Sequence, residues 1–302
     1  MYDRFMMRKW LTLAIAALFI TAIVLAGCPG DPNGDGNGDT LSFSITGSNT
    51  VQPLSVVWAE AFMDQRSEVS IAVSGPGSGV GIAALIDGTT EVAQSSRLIR
   101  QSEIDQAQAR GVNPYEITVA QDALAVVVHP SNPVTELTIA QLSAIYSGQI
   151  TNWQELGGED LPIVVLSRDT NSGTHVFFKE TVVQMRGLAT EETSLEYGPN
   201  VLFLPSTSAG IEETAGNTRA IFYPGLAYVT ADVQALAIKR TADDPAVLPS
   251  VETAQDGTYP VVRPLLYYTN GAPAGVIKDF IDYCLSPAGQ ARVVDVGYVP
   301  VQ

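Results

Sequence analysis

From Leu41 onward one pattern recurs: a short apolar strand-like run, a small polar turn, then apolar residues at helical spacing. Leu41, Phe43 and Ile45 alternate with polar neighbours and predict a strand. Gly47-Ser48-Asn49-Thr50 turns, and Val51, Leu54, Val57, Trp58, Ala61 and Phe62 then predict one face of a helix. Val69, Ile71 and Val73 alternate, Gly75 to Gly79 turn, and Val80 to Ile86 predict a second, shorter helix. A third unit runs from a short strand through Ser95-Ser96-Arg97 into a helix with Ser102 as its expected N-cap and Glu103 and Asp105 complementing its dipole. The fourth begins with the apolar stretch "LPIVVL", turns at "SRDTNSGT" (167–174) and continues as a helix.

The segments between these units extend the pattern. Ala123 to Val128 is a continuous apolar run closed by Pro130, which predicts one buried strand. "TIAQLSAIYSGQITNWQELGG" predicts a helix followed by a turn and an aromatic anchor, Trp153. "RAIFYPGLAYVT" and "YPVVRPLLYYTNG" predict two more strands, and the C-terminus predicts two short helices around Ser286-Pro287 followed by a strand. Strands alternating with helices imply an α/β architecture with largely parallel sheets. In such sheets ligands bind beyond the carboxyl ends of the strands, at helix N-termini.

The candidate chemistry therefore lies in the turns. Arg168 offers a planar fork of donors suited to an oxyanion. Gly173 allows close backbone approach, and Ser172 and Thr174 place hydroxyls and amides at a helix N-terminus, where an anion is favoured. A hydroxyl before a helix is by itself only a cap. Four such turns, at Gly47–Thr50, Gly75–Gly79, Ser95–Arg97 and Arg168–Thr174, point instead to one anion-binding cleft. None of them contains a carboxylate dyad or a histidine, so neither an enzyme nor a metal or cofactor site is expected. His129 reads as a loop residue, and His175 is expected to point away from the site on its helix.

Composition and charge narrow the class. The chain has 302 residues, 46% hydrophobic and 16% charged, enough for two domains with packed cores. A formal net charge of −16 argues against nucleic acid as a partner. The N-terminus carries Arg4, Arg8 and Lys9 before an apolar run from Leu11 to Ala26, the layout of an export leader over residues 1–27. Leu25-Ala26-Gly27-Cys28 resembles a bacterial lipobox, which implies cleavage before Cys28 and a lipid anchor on it. An uncleaved single-span anchor is the other reading; either way the bulk of the chain lies outside the cytoplasmic membrane. The leader carries a net +2, so its removal takes the −16 of the whole chain to −18. Residues 28–40, rich in Gly, Asp, Asn and Pro, read as a flexible tether. Cys284 is left without a partner and is expected to pack as a small apolar residue.

Six segments together resemble one family. "ITGSNTVQPL", "GSGVGIAALIDGTTEVAQSSR", "DALAVVVHPSNPVTELTIAQLSAIYSGQITNW", "SRDTNSGTHVFF", "YPVVRPLLYYTNG" and "FIDYCLSPAGQARVVDVGYVPV" are similar, in order from Ile45 to Val301, to the phosphate-binding proteins of high-affinity phosphate ABC importers. The resemblance implies a type II periplasmic binding protein, with two α/β lobes joined by two crossing strands and a ligand cleft between them. It places lobe one at 41–121 plus 263–302 and lobe two at 122–262. It implies inorganic phosphate as ligand, an ABC permease as partner, and attachment to the membrane through the lipid on Cys28.

The family's ligand positions match Thr50, Val51, Ser78, Arg168, Ser172, Gly173 and Thr174. Some members have an aspartate at the third lobe-one turn to accept the proton of monohydrogen phosphate; here that position is Ser96, followed by Arg97. Ser96 joins the candidate set, as do Ser48, Gly79 and Arg97, although pairing with a surface carboxylate is the favoured explanation of Arg97. A serine rejects a proton-free dianion less firmly than an aspartate does, so selectivity for phosphate is less secure here than binding itself. Sulfate, molybdate, tungstate or arsenate binding, or a sensing or surface-interaction role on the same fold, are the alternatives.

Overall fold

The computed structural model describes residues 40–301. The leader, Cys28 and tether residues 28–39 lie outside the described residues.

The elements follow in chain order. β1 (Leu41–Gly47), α1 (Gln52–Met63), β2 (Val69–Ser74), α2 (Ser78–Ile86), β3 (Val92–Ser95), α3 (Gln101–Ala109) and β4 (Pro114–Ala123) build most of the first lobe. The second lobe contains β5 (Val127–Val128), β6 (Glu136–Thr138), α4 (Ile139–Tyr146), β7 (Val164–Arg168), α5 (Gly173–Phe178), β8 (Leu202–Leu204), α6 (Thr207–Gly216), β9 (Ala220–Phe222), β10 (Gln234–Ala235), β11 (Ala237–Lys239) and α7 (Val251–Gln255). The chain then returns through β12 (Val262–Asn270), α8 (Gly275–Leu285) and α9 (Pro287–Val296).

The first sheet has the order β2-β1-β3-β12-β4, with β1 parallel to β2 and β3 and β12 antiparallel to β3 and β4. The second has the order β10-β5-β9-β7-β8, with β7 parallel to β8 and β9 and the β9-β5-β10 end antiparallel. β6 and β11 form a small separate parallel ladder. The sheets are thus mixed, and the parallel strands are those that feed the polar turns.

Both faces of each sheet are covered. Along β12, Leu265 and Tyr267 pack with Trp58, Phe62 and Phe280, while Leu266 and Tyr268 pack on the opposite face with Ile82 and Leu85. This is the period-two consequence of a pleated strand between helical layers. Cys284 is a free, buried member of the first of these cores, and burial pushes its thiol well up. Helix starts are locally encoded: Thr138 and Gln141 form a capping box for α4, and Ser286 caps α9 with Pro287 in its first turn.

Several elements differ from the sequence expectation. The N-cap of α3 is Arg100, not Ser102, because the Glu103 carboxylate reaches back to the Arg100 N–H at 2.8 Å and begins the helix two residues earlier. The apolar run at 123–128 is buried throughout but is not one strand. β4 ends at Ala123 opposite Val262, Leu124 bridges Gly225, and Val127–Val128 pair with β9 in the other sheet. The return path passes through Tyr259 and Val261, both packed in the second lobe's core. Periodicity cannot detect a change of sheet in a segment buried on all sides. "RAIFYPGLAYVT" forms a strand only to Phe222 and ends in a 3-10 turn at Leu226–Tyr228, and the final predicted strand is a single bridge between Gln121 and Val299.

Candidate functional site

Three of the polar turns lie at the carboxyl ends of neighbouring parallel strands. β1 leads into Ser48–Thr50, β2 into Gly75–Gly77 before α2, and β3 into Ser96 and Arg97. Gly47, with φ of +145°, lets the first of these turns fold directly against Gln94 of β3, and the Ser48 N–H donates to the Gln94 carbonyl at 2.8 Å. Three buried hydroxyls then form a chain: Ser48 Oγ donates to Ser96 Oγ at 3.0 Å, which lies 3.4 Å from Ser78 Oγ. The Ser96 N–H donates to Ser78 Oγ at 3.1 Å. The buried Val51 directs its N–H to Ser48 Oγ at 3.3 Å.

The fourth turn arrives from the second lobe. Ser172 caps α5, its Oγ accepting from the Thr174 and His175 amides at 3.2 and 3.4 Å. Thr174 Oγ1 lies 2.9 Å from Thr50 Oγ1 across the cleft. The Gly79 N–H donates to the Asn171 carbonyl at 3.1 Å, a second tie between the lobes. Gly173 faces Ser78 and Ser96 so closely that a Cβ there would collide with both hydroxyls. The eight principal candidates, Thr50, Val51, Ser78, Ser96, Arg168, Ser172, Gly173 and Thr174, are therefore drawn to one buried locus, with Ser48 among them and Gly79 at its edge.

Arg168 ends β7 and is only 2% exposed. Its Nη1 donates to Thr207 Oγ1 at 2.6 Å and to Asn49 Oδ1 at 3.4 Å, and its Nη2 donates to the Pro205 carbonyl at 3.1 Å. These partners are all neutral, and Nε is buried without one. Burial lowers the guanidinium's pKa, against the opposing field of Asp169, yet an arginine remains charged in proteins. A buried cation with a spare donor and no carboxylate partner is a place for an anion. Asp169 does not bond Arg168; its Oδ1 accepts from the Asn171 N–H at 2.9 Å.

Arg97 takes a different role. Its Nη1 and Nη2 bond the two Glu103 oxygens at 2.8 and 2.6 Å, so its charge is already matched. His175 lies behind the clamp, with Nδ1 3.2 Å from Ser167 Oγ and its ring 4.6 Å from that of Tyr197. Burial lowers its pKa to about 4, so it is neutral at pH 7. Among the described residues no group of three or more His, Cys, Asp or Glu side chains could hold a metal ion.

Three further residues at the site are not among the candidates read from the sequence. Asn49 accepts from Thr207 N–H at 3.2 Å through Oδ1 and from the Tyr228 hydroxyl at 2.9 Å through its carbonyl, so it ties the first lobe to the second. Arg263 and Asp122 form a wholly buried ion pair, Nη2 to Oδ2 at 2.8 Å, beside Thr50 and Ser96. A lone arginine inside the apolar run "VVRPLL" was the available clue to this pair.

Comparison with known proteins identifies the family and the fold. Residues 33–288 match the model of a PBP superfamily domain. The chain is 30% identical over 282 residues to the phosphate-binding protein PstS of Pseudomonas aeruginosa, covering 88% of this chain and 84% of that one. It is 32% identical over 263 residues to the phosphate-binding protein PstS of Bacillus subtilis, covering 86% and 81%. Among solved structures it is similar to a protein from Clostridium perfringens, provisionally described as a phosphate ABC transporter substrate-binding protein and solved with bound phosphate. The TM-score is 0.76 at 34% identity, covering 86% of this chain and 100% of that one.

Proposed function

Because the chain belongs to the PBP superfamily, and within it to the phosphate-binding proteins of ABC importers, we propose that it captures inorganic phosphate outside the cytoplasm and delivers it to an ABC permease. The two α/β lobes are those of a type II periplasmic binding protein. The observation that carries the reading is the convergence of four strand-end turns on one locus beside Arg168, whose buried Nε lacks an acceptor.

Thr50, Val51, Ser78, Ser96, Ser172, Gly173 and Thr174 supply hydroxyls and helix-end amides to the anion, and Arg168 supplies the charge. The hydroxyls now satisfy one another, Thr50 with Thr174 and Ser48 with Ser96 and Ser78. An entering oxyanion exchanges these neutral bonds, worth about 0.5–1.5 kcal/mol each, for charge-assisted ones of about 1.5–3 kcal/mol. At about 1–1.5 kcal/mol gained per exchange, roughly six to eight such contacts reach about −8 kcal/mol, or micromolar binding. Long-range attraction contributes little, because the net charge of −16 opposes an anion and salt screens it beyond roughly 8–10 Å. Short, desolvated contacts must provide the affinity.

The chain is read as a carrier, without catalysis. Among the described residues, the buried contact between a serine hydroxyl and a histidine ring is Ser167 with His175, and it is sealed from substrate, as Ser167 is fully buried and also bonded to the Tyr223 hydroxyl at 2.5 Å. A phosphomonoester turnover assay should therefore stay at background. The leader and Cys28 support a lipid-anchored form held near the permease. Mass spectrometry of the membrane fraction should find Cys28 as the modified N-terminus, and an intact leader would reject that form.

Calorimetry with phosphate, arsenate, sulfate, molybdate and tungstate tests the central reading. Phosphate should bind most tightly, at micromolar or below. Tighter binding of a metallate or of sulfate would move the assignment to that anion.

A further inference from the structure

The best-buried ion pair near the cleft has no part in the clamp described above. Arg263 lies at the start of β12 and Asp122 near the end of β4, and both side chains are completely buried. Burying such a pair costs desolvation that attraction only partly offsets, so its position calls for a reason beyond stability. Asp122 Oδ2 accepts from Arg263 Nε at 3.2 Å and Nη2 at 2.8 Å, and Oδ1 accepts from the Leu226 N–H at 3.1 Å. The remaining donors of Arg263 turn toward the proposed anion site. Nη1 donates to the Ser96 carbonyl at 3.2 Å, and Nη2 donates to Thr50 Oγ1 at 3.4 Å. From the second lobe, the Phe177 ring covers the guanidinium at 5.7 Å.

We infer that Arg263, held by Asp122, is a positioning residue that makes the first-lobe half of the cradle a set of donors. This rests on the anion-binding reading above. A threonine hydroxyl can either donate or accept. With Arg263 donating into its oxygen, the Thr50 proton points away, to Thr174 Oγ1 in the present arrangement and to an anion oxygen when one is bound. The bond to the Ser96 carbonyl fixes the turn that presents the Ser96 amide and hydroxyl. Asp122, fully engaged by Arg263 and Leu226, is not free to repel the ligand. Arg263 thus orders the cradle without itself gripping the anion, and a lysine cannot replace it. One ammonium lacks the fork that reaches Asp122, Ser96 and Thr50 together.

A double-mutant cycle between Arg263 and Thr50 tests this, using the full chain, inorganic phosphate and sulfate as titrants, and the ligand-free melt as a control for folding. Arg263→Lys should raise the phosphate Kd roughly tenfold. Combined with Thr50→Val, it should lose at least about threefold less than the product of the two single losses, because the variants remove one shared interaction. A merely structural arginine would lower the melt and give multiplicative losses; that result, or an unchanged Kd in Arg263→Lys, overturns the inference. If Arg263→Lys lacks a cooperative melt, Asp122→Asn replaces it in the cycle, with the same outcomes deciding. A wild-type chain that binds neither anion overturns the parent reading and this inference with it, whereas binding with multiplicative losses overturns this inference alone.

Discussion

The hydroxyls of Thr50 and Thr174 lie 2.9 Å apart although 124 positions separate them in the chain. One belongs to the turn after β1 and the other to the start of α5, so the contact joins the two lobes directly. In the proposed function it is one of the bonds that an entering anion replaces. It also explains why residues on either side of the cleft should be sensitive in different ways.

Arg168 should dominate binding. Arg168→Ala removes the one cation of the cradle whose bonds go to neutral oxygens, and its phosphate affinity should fall at least about a hundredfold. Arg97→Ala breaks a pair with Glu103 and should cost less than about tenfold. Isothermal titration of both variants checks the order; equal losses would reject the assignment of the clamp.

Gly173→Ala should separate binding from folding. The added methyl would press on Ser78 Oγ and Ser96 Oγ from the opposite lobe, which obstructs closure and leaves each core untouched. Phosphate affinity should fall by about tenfold or more, with little change in the ligand-free melting temperature. A large drop in that melt would instead mean that the contact holds the lobes together in the absence of ligand.

Ser96→Asp should sharpen discrimination between phosphate and sulfate. A carboxylate here accepts the proton of monohydrogen phosphate and repels a dianion that has none. The ratio of sulfate to phosphate Kd should rise by about tenfold, or about 1.4 kcal/mol. Titration with both anions measures it, and an unchanged ratio would remove Ser96 from the selectivity-determining positions.

Acid should weaken the fold through His175. Its folded pKa of about 4 lies below the ordinary 6.5 because burial disfavours the charged ring. The unfolded chain therefore binds the proton first. Stability from this group is complete above about pH 6.5 and declines as the pH falls toward 4, by roughly 3 kcal/mol in all. Urea unfolding across that range should show the decline in the wild type and a shallower one in His175→Asn. Parallel curves would mean that the ring is not the titrating group.

Much of this protein was written locally. The alternation in β1 and β2, the helical spacing in α1 and the hydroxyl-rich turns are short-range patterns, each readable within a dozen residues. The arginine and Ser-Gly-Thr of the fourth turn could be proposed as an anion clamp for the same reason, since the residue types themselves carry the donors. Tertiary structure alone decided the rest. That Ala123–Val128 changes sheets and that Asn49, Asp122 and Arg263 border the cleft depend on contacts between distant segments, and that Glu103 pairs with Arg97 depends on how the third turn folds back. Periodicity records whether a position is buried, not what it is buried against, and a hydroxyl or guanidinium acquires its role only from the partner that folding brings within 3 Å or so.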